Sequence, residues 1–265
     1  MRSAELNVHS VLGRAFGLLD AFADCPAGVG TGPEFSLTPE LTLTELSQRT
    51  GVPKGSLHRL LGQLVALDVV ERTGTRYRLS LHMIELAGLS PWLGQLRETA
   101  LPFMIELHEA THHTIHLGVL RDTDVVYVER IRGHLSINCP TRVGGRMPAY
   151  CTGLGKSLLA FADKQATSKV LSTRLKRRTP YTIIAPGLLL RDLERAAAEG
   201  AAFDREEAVL GLVCVAAPVL VAGHPVAAIS VSGRASEIQR PRLSHLVKDA
   251  ARKAGQALEP LMRVS

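Results

Sequence analysis

A chain of 265 residues with 46% apolar and 21% charged side chains can bury a sizeable core, and its length allows one or two domains; two are expected here. No stretch is apolar for long enough to span a bilayer, and Met1 to Ser10 lacks the apolar run of a secretory signal, so a membrane role is excluded and a cytoplasmic protein expected. The net charge of +6 is unevenly placed: Met1 to Gln48 carries two basic residues against six acidic, whereas Arg49 to Arg78 carries six basic against Asp68 and Glu71.

In chain order, Ser10 reads as an N-cap, and Val11, Leu12, Ala15, Phe16, Leu18, Leu19 and Phe22 recur at helical spacing, which predicts a first helix. Cys25 to Glu40, rich in Gly, Pro and Thr without periodicity, reads as a loop. Thr42 and Glu45 form a capping box for a second helix carrying Leu43 and Leu46, and Gly51 supplies its left-handed stop. After the turn Thr50-Gly51-Val52-Pro53, a third helix is expected to bury Leu57, Leu60, Leu61, Leu64 and Leu67, leaving Ser56, His58, Arg59 and Gln63 on the remaining surface. The period then changes. Val70 and Arg72, a turn at Gly74, and Arg76-Tyr77-Arg78-Leu79 alternate as a basic hairpin.

Two short helices joined by a tight Gly-containing turn place the start of the second against base edges, so this segment is read as a winged helix-turn-helix meeting double-stranded DNA. His58 and Arg59 are candidates for major-groove acceptors, and Lys54, Ser56, Arg72, Arg76 and Arg78 for phosphates.

Leu81 to Leu89 reads as a helix interrupted at Pro91, where a boundary is placed. Beyond it come a helix ending near Ala110, strands Thr114 to Arg121 and Asp124 to Arg130, and a helix from about Gly153. A helix from Leu188 to Glu199, strands Val213 to Val221 and Pro225 to Ser232, and a closing helix from Arg240 to Met262 follow. Short strands mixed with helices imply an α+β class rather than a regular parallel sheet. The domains are accordingly set at residues 1–80, a linker at 81–110, and 111–265.

Cys25, Cys139, Cys151 and Cys214 show no paired zinc spacing, so reduced thiols are expected. His112, His113 and His116 form the one histidine cluster. A strand starting at Thr114 would set His112 and His116 on one face and His113 on the other, with no adjacent thiol or carboxylate, so neither a metal nor a cofactor is expected. Gly153-Leu154-Gly155-Lys156-Ser157 looks like a phosphate-binding loop, but a Walker A motif needs Gly where Tyr150 stands.

Ser10 to Phe22, Leu41 to Leu67, the hairpin, Pro148 to Lys156, Phe203-Asp204-Arg205-Glu206-Glu207, Cys214-Val215-Ala216-Ala217-Pro218 and Ile229-Ser230-Val231-Ser232-Gly233 together resemble the IclR family of bacterial transcriptional regulators, over nearly the whole chain and in the right order. Two features depart from the pattern: the loop Cys25 to Glu40 is longer, and Gly55 stands where Ser is common. The resemblance implies a winged helix-turn-helix, a linker helix, a GAF-like α/β effector domain, and a homodimer or tetramer acting at an operator, with repression the expected sense. It also implies ligand contacts from Gly153, Leu154, Asp204, Cys214, Ser230 and Ser232, with apolar walls at Met147 and Leu212, and a small organic acid as effector. A Gly-rich helix start exposes N–H groups suited to a carboxylate, and Ser230 and Ser232, two apart on a strand, share a face. The alternative is an enzyme acting on a small organic acid, with an accessory helical domain. Cys214 lacks a local partner that would make it a nucleophile, and no coherent acid/base set is evident.

Overall fold

In the computed structural model, residues 10–23, 40–133, 141–238 and 240–262 are described, save the side chains at 240 and 241. Cys25, Cys139 and all of the Cys25 to Glu40 loop except Glu40 lie outside them. The chain divides at Pro91/Trp92 into two units.

In the first unit, α1 (Val11–Ala23) starts where the Ser10 hydroxyl accepts the Gly13 N–H at 2.9 Å. Thr42 and Glu45 form the reciprocal capping box at the head of α2 (Leu43–Thr50), and Gly51, at φ 69°, ends it in the left-handed conformation. Helix α3 (Lys54–Ala66) buries Leu57, Leu60, Leu61 and Leu64, the i, i+3, i+4, i+7 stripe of an amphipathic helix. Leu67 departs from the expected stripe: the helix ends one residue earlier, and this side chain is 67% exposed. Strands β2 (Val70–Thr73) and β3 (Arg76–Leu79) form the hairpin, and a two-residue strand, β1 (Leu41–Thr42), adds to the free edge of β3 through Leu41↔Tyr77 and Thr42↔Arg76. Leu18, Phe22, Leu41, Leu46, Leu57, Leu61 and Tyr77 form the core. Val11, Leu12 and Phe16, on the expected apolar face of α1, lie in solvent, as do Ile84 and Leu86 of α4 (His82–Gly88), which fully buries no residue.

The second unit is built on one antiparallel sheet, in the order β6-β5-β4-β9-β8-β7. Its strands are β4 (Thr114–Arg121), β5 (Asp124–Ile131), β6 (Arg146–Pro148), β7 (Ala202–Arg205), β8 (Leu212–Val221) and β9 (His224–Arg234). Strand alternation sorts the side chains. Val213, Val215, Ala217 and Val219 meet Leu96, Ala100, Met104 and Leu107 of α5 (Pro91–Thr111) and Val247, Ala251, Ala254 and Leu258 of α9 (Arg240–Met262). On the opposite face Ala216 and Ala228 join Leu154 and Leu158 of α6 (Gly153–Phe161), Val170 of α7 (Lys164–Leu171), and Leu189 and Leu193 of α8 (Pro186–Glu199). Periodicity over so few residues did not signal β6, β7 or α7. Pro91 begins α5 instead of only ending the preceding helix, because proline's missing N–H costs nothing in a first turn. His112 precedes the strand in a left-handed conformation, φ 56°, so the expected alternation of His112 with His116 does not arise.

Helix α9 lies against β8 at a glycine: a Cβ on Gly255 would fall 2.3 Å from the Leu220 carbonyl oxygen. Gly255→Ala is expected to destabilise the protein by about 1–3 kcal/mol through overpacking. Gly94→Ala, in α5 where a Cβ meets nothing within 4 Å, should be neutral or stabilise by up to ~1 kcal/mol. Urea unfolding of the two variants checks the contrast.

Candidate functional site

On the first unit, α3 turns its buried leucines inward and leaves Lys54, His58 and Arg59 exposed, with Ser56 half-buried at its first turn. Arg72 and Arg76 are exposed on the adjoining hairpin, Arg72 donating to the Gly74 carbonyl at 2.9 Å and lying over the Tyr77 ring at 5.7 Å. Arg78 differs from them. Directly opposite Glu71 in the strand register, it donates to that carboxylate at 2.6 and 2.7 Å, so its charge is already matched within the hairpin. A cationic helix start beside a cationic hairpin is an arrangement for a polyanion, because base edges require a projecting helix while phosphates require only reachable charge.

The second unit holds a cavity, open on one side, between the sheet and the start of α6. Met147, Gly153, Leu154, Asp204, Leu212, Cys214, Ser230 and Ser232, all eight residues expected at one ligand site, line it together. Sheet register explains the convergence: Asp204 pairs with Cys214 and Cys214 with Ser232, while Ser230 pairs with His116, so two neighbouring rungs on one face bring polar residues together from four strands. The cavity also takes in His116, Tyr127, Thr141, Thr152, Ala208 and Val209, which sequence reasoning did not assign to it. His116 stood two residues into a readable strand and could have been found by alternation. Ala208 and Val209 lie in an irregular turn and carried no signal.

Along the cavity floor the Cys214 thiol meets the Ser232 hydroxyl at 3.0 Å, and Ser232 reaches His116 Nδ1 at 3.4 Å. His116 Nε2 meets Thr141 Oγ1 at 2.7 Å. Burial, reinforced by the nearby Arg130 charge, depresses the His116 imidazole to about 3, so it stands neutral at pH 7. Asp204 is buried, and burial together with repulsion from Glu207 pushes its carboxyl up to about 7, against N–H groups of Glu207 and Ala208 and the charge of Lys156, which pull it down. Burial also pushes the Cys151 thiol behind this wall up to about 12, so it is not a thiolate.

The start of α6 is set by close approaches. Thr152 caps it, accepting the Gly155 N–H at 3.1 Å. A Cβ on Gly153 would stand 3.2 Å from Cys214 Cβ, and one on Gly155 would stand 2.3 Å from the Ala149 backbone. Lys156 is fully buried and donates to Asp192 of α8 at 2.8 Å and to Glu207, just after β7, at 2.6 Å. These contacts account for the run that looks like a phosphate loop: its glycines permit helix packing, and its lysine is spent on two internal carboxylates. Among the described residues no group of His, Cys, Asp or Glu could hold a metal ion, and no helix is long and apolar enough to cross a membrane.

A helix-turn-helix with a basic hairpin, joined to an α/β domain enclosing a small-molecule cavity, defines a class of ligand-sensing transcription regulators. Family models agree on both halves: residues 11–74 match the IclR helix-turn-helix domain, and residues 94–258 the bacterial transcriptional regulator IclR C-terminal domain. The chain belongs to the IclR family of bacterial transcriptional regulators. It is 33% identical to the regulator KdgR of Escherichia coli over 93% of this chain and 91% of that one. It is 29% identical to the repressor AllR of the same species, over 82% and 83%. Among solved structures, an IclR homologue of Microbacterium hydrocarbonoxydans complexed with 4-hydroxybenzoate superposes with a TM-score of 0.80 at 26% identity, covering 97% of this chain and all of that one. Thermotoga maritima IclR does so at 0.72 and 27%, covering 94% and 98%.

Removing the lysine ammonium would leave the buried Glu207 carboxylate without its ion-pair partner and Asp192 with only Arg195 and Arg205. Lys156→Ala is expected to destabilise the protein by about 3–5 kcal/mol. Chemical denaturation against the wild type measures it, and a loss under 1 kcal/mol would show that Lys156 is not what keeps these carboxylates buried.

Proposed function

We propose that this regulator binds a pseudo-palindromic operator as a homodimer or tetramer in the cytoplasm, represses from it, and is controlled by a small organic acid held in the cavity of its second unit. The observation that carries the reading is the convergence of all eight expected ligand residues on one cavity, in a chain whose other unit presents an exposed cationic helix start. The similar structure that holds 4-hydroxybenzoate supports an acid, and the name of AllR supports repression. The reading is of binding rather than turnover, since the buried lysine is neutralised internally.

On the DNA side, Arg59→Ala is expected to lose about 1–3 kcal/mol of discrimination between operator and random duplex. Arg76→Ala should weaken both duplexes alike and flatten the salt dependence. Titrations of the two duplexes at several salt concentrations separate these outcomes, and equal wild-type affinity for both would sink the reading.

An effector alters DNA binding only by favouring one arrangement of the units, and the chain passes between them through α4 and α5. Leu81, Ile84, Leu86 and Leu89 are 45–76% exposed, more apolar surface than a solvated connector needs, so α4 is assigned to pack on its counterpart in the oligomer and set the spacing of the two α3 helices. Leu86→Glu should therefore weaken operator binding by about tenfold or more, ~1.4 kcal/mol, with the cavity untouched. Ser230→Ala should blunt the effector response while ligand-free operator binding persists. Operator titration with and without the acid reads both, and an unchanged dimer and affinity for the Leu86 variant would remove α4 from the mechanism.

A further inference from the structure

The cavity poses an electrostatic problem. An organic acid arrives as an anion, yet among the described residues lining the cavity there is no lysine or arginine, and the one carboxyl there, that of Asp204, is of the ligand's own sign when ionised. Two like charges a few ångströms apart in a desolvated site repel strongly, so both cannot remain ionised. The Asp204 carboxyl is only half used by the protein. One oxygen, Oδ1, accepts the N–H groups of Glu207 at 2.7 Å and Ala208 at 3.4 Å, and no described residue donates to Oδ2.

Of the charged groups around Asp204, Glu207 acts on it most strongly, after burial itself. Glu207 stands in the turn after β7, with Oε2 buried and unbonded among the described residues. Lys156, reaching in from α6, divides its ammonium between Glu207 and Asp192, and Arg195 and Arg205 turn to Asp192 instead of the cavity. From the 3₁₀ turn before α6, Cys151 contributes a neutral thiol, with Arg178 acting from outside it. On the sheet, Cys214 and Ser232 continue the row from β8 and β9, and neutral His116 closes it from β4, with Arg130 beyond. What favours an anion is weaker: the start of α6 at Gly153 and Leu154, at the positive end of the helix dipole, and the Ser230 hydroxyl, all lining the cavity.

We propose that the effector's carboxylate is held by the Asp204 carboxyl through one shared proton, so that Asp204 is the residue that makes the pocket selective for carboxylic acids and couples their binding to pH. The inference rests on the effector-pocket reading above. A protonated Asp204 donates from Oδ2 to a carboxylate oxygen, which converts the cavity's one acidic group from a repulsive charge to a donor. Because that carboxyl titrates near 7, the acid binds without net proton uptake at pH 6 and must bring one proton with it at pH 8. A neutral ligand needs no proton, and a cationic one binds better to the ionised carboxylate, with the opposite dependence on pH.

The test uses the full chain with five probes, 4-hydroxybenzoate, benzoate and lactate as acids, benzamide as their neutral counterpart and benzylamine as a cation, at pH 6 and pH 8. The expected result is that at least one acid binds, with Kd about tenfold weaker at pH 8 than at pH 6, and that the same acid binds Asp204→Asn with equal affinity at both. Should that variant fail to fold, calorimetry of the wild type in phosphate and Tris buffers reads proton uptake directly, with about one proton expected at pH 8 and close to none at pH 6. An acid that binds equally at both pH values without proton uptake, or a tenfold drop that survives in Asp204→Asn, overturns the shared proton and leaves the acid effector standing. Tight binding of benzylamine at pH 8 with no acid bound, or no acid bound at either pH, overturns the acid effector as well.

Discussion

Burying the Lys156 ammonium is the constraint on which the sensing unit depends. A charge withdrawn from water must be matched where it lies, and here the matching carboxylates come from α8 and from the turn after β7, so one side chain joins three segments far apart in the chain. Two of those segments, α6 and the turn after β7, form part of the cavity wall. Helix α6, which carries the lysine, presents Gly153 and Leu154 at its first turn, and the turn that carries Glu207 also supplies Ala208 and Val209. Thr179 and Thr182 bind the same turn from outside, donating to the carbonyls of Glu206 and Glu207 at 2.7 Å each. Aspartate 204 inherits its environment from this arrangement: it is close enough to Glu207 to feel its charge, and the one lysine in reach is already committed.

The sheet does the rest by its period of two. Each strand commits one row of side chains to the α5–α9 core and the other to the cavity side, so polar residues on the second row meet across strands with no adjustment of the backbone. Cys214, Ser232 and His116 thus form a connected floor, which Thr141 joins from the loop before β6, and each polar group finds a partner within the protein. An imidazole in such a place gains nothing from charging, which is why burial rather than a specific neighbour governs it.

The DNA-binding unit follows a different logic, in which local signals agree with the packing. The capping box, the left-handed Gly51 and the leucine stripe of α3 each favour the conformation that the small core of Leu18, Leu46, Leu57 and Leu61 then buries. Once that core has taken one face of α3, the other must project into solvent, and its positive residues are presented to a polyanion without further support. Arg78 is the exception, because strand pairing sets it opposite Glu71.

Local chemistry therefore determined much of this protein before any folding was considered: the helix-turn-helix with its caps, the basic hairpin, most of the strand and helix boundaries, and the alternation that puts Ser230 and Ser232 on one face. It did so because each of these features depends on residues within a few positions of one another. The resemblance between families of motifs, not periodicity, carried Asp204, Cys214 and the start of α6 to one expected site. Tertiary structure alone decided that the Gly-Leu-Gly-Lys run serves close packing and a buried ion cluster, that His116, Thr141 and Ala208 join the cavity, that β1 completes the small sheet, and that Leu67 lies in solvent. The ion cluster, the cavity and the β1 pairing rest on partners distant in the chain, such as Lys156 with Glu207 and His116 with Ser232, and a side chain's neighbours at that separation are set by strand order and register, which no local pattern encodes.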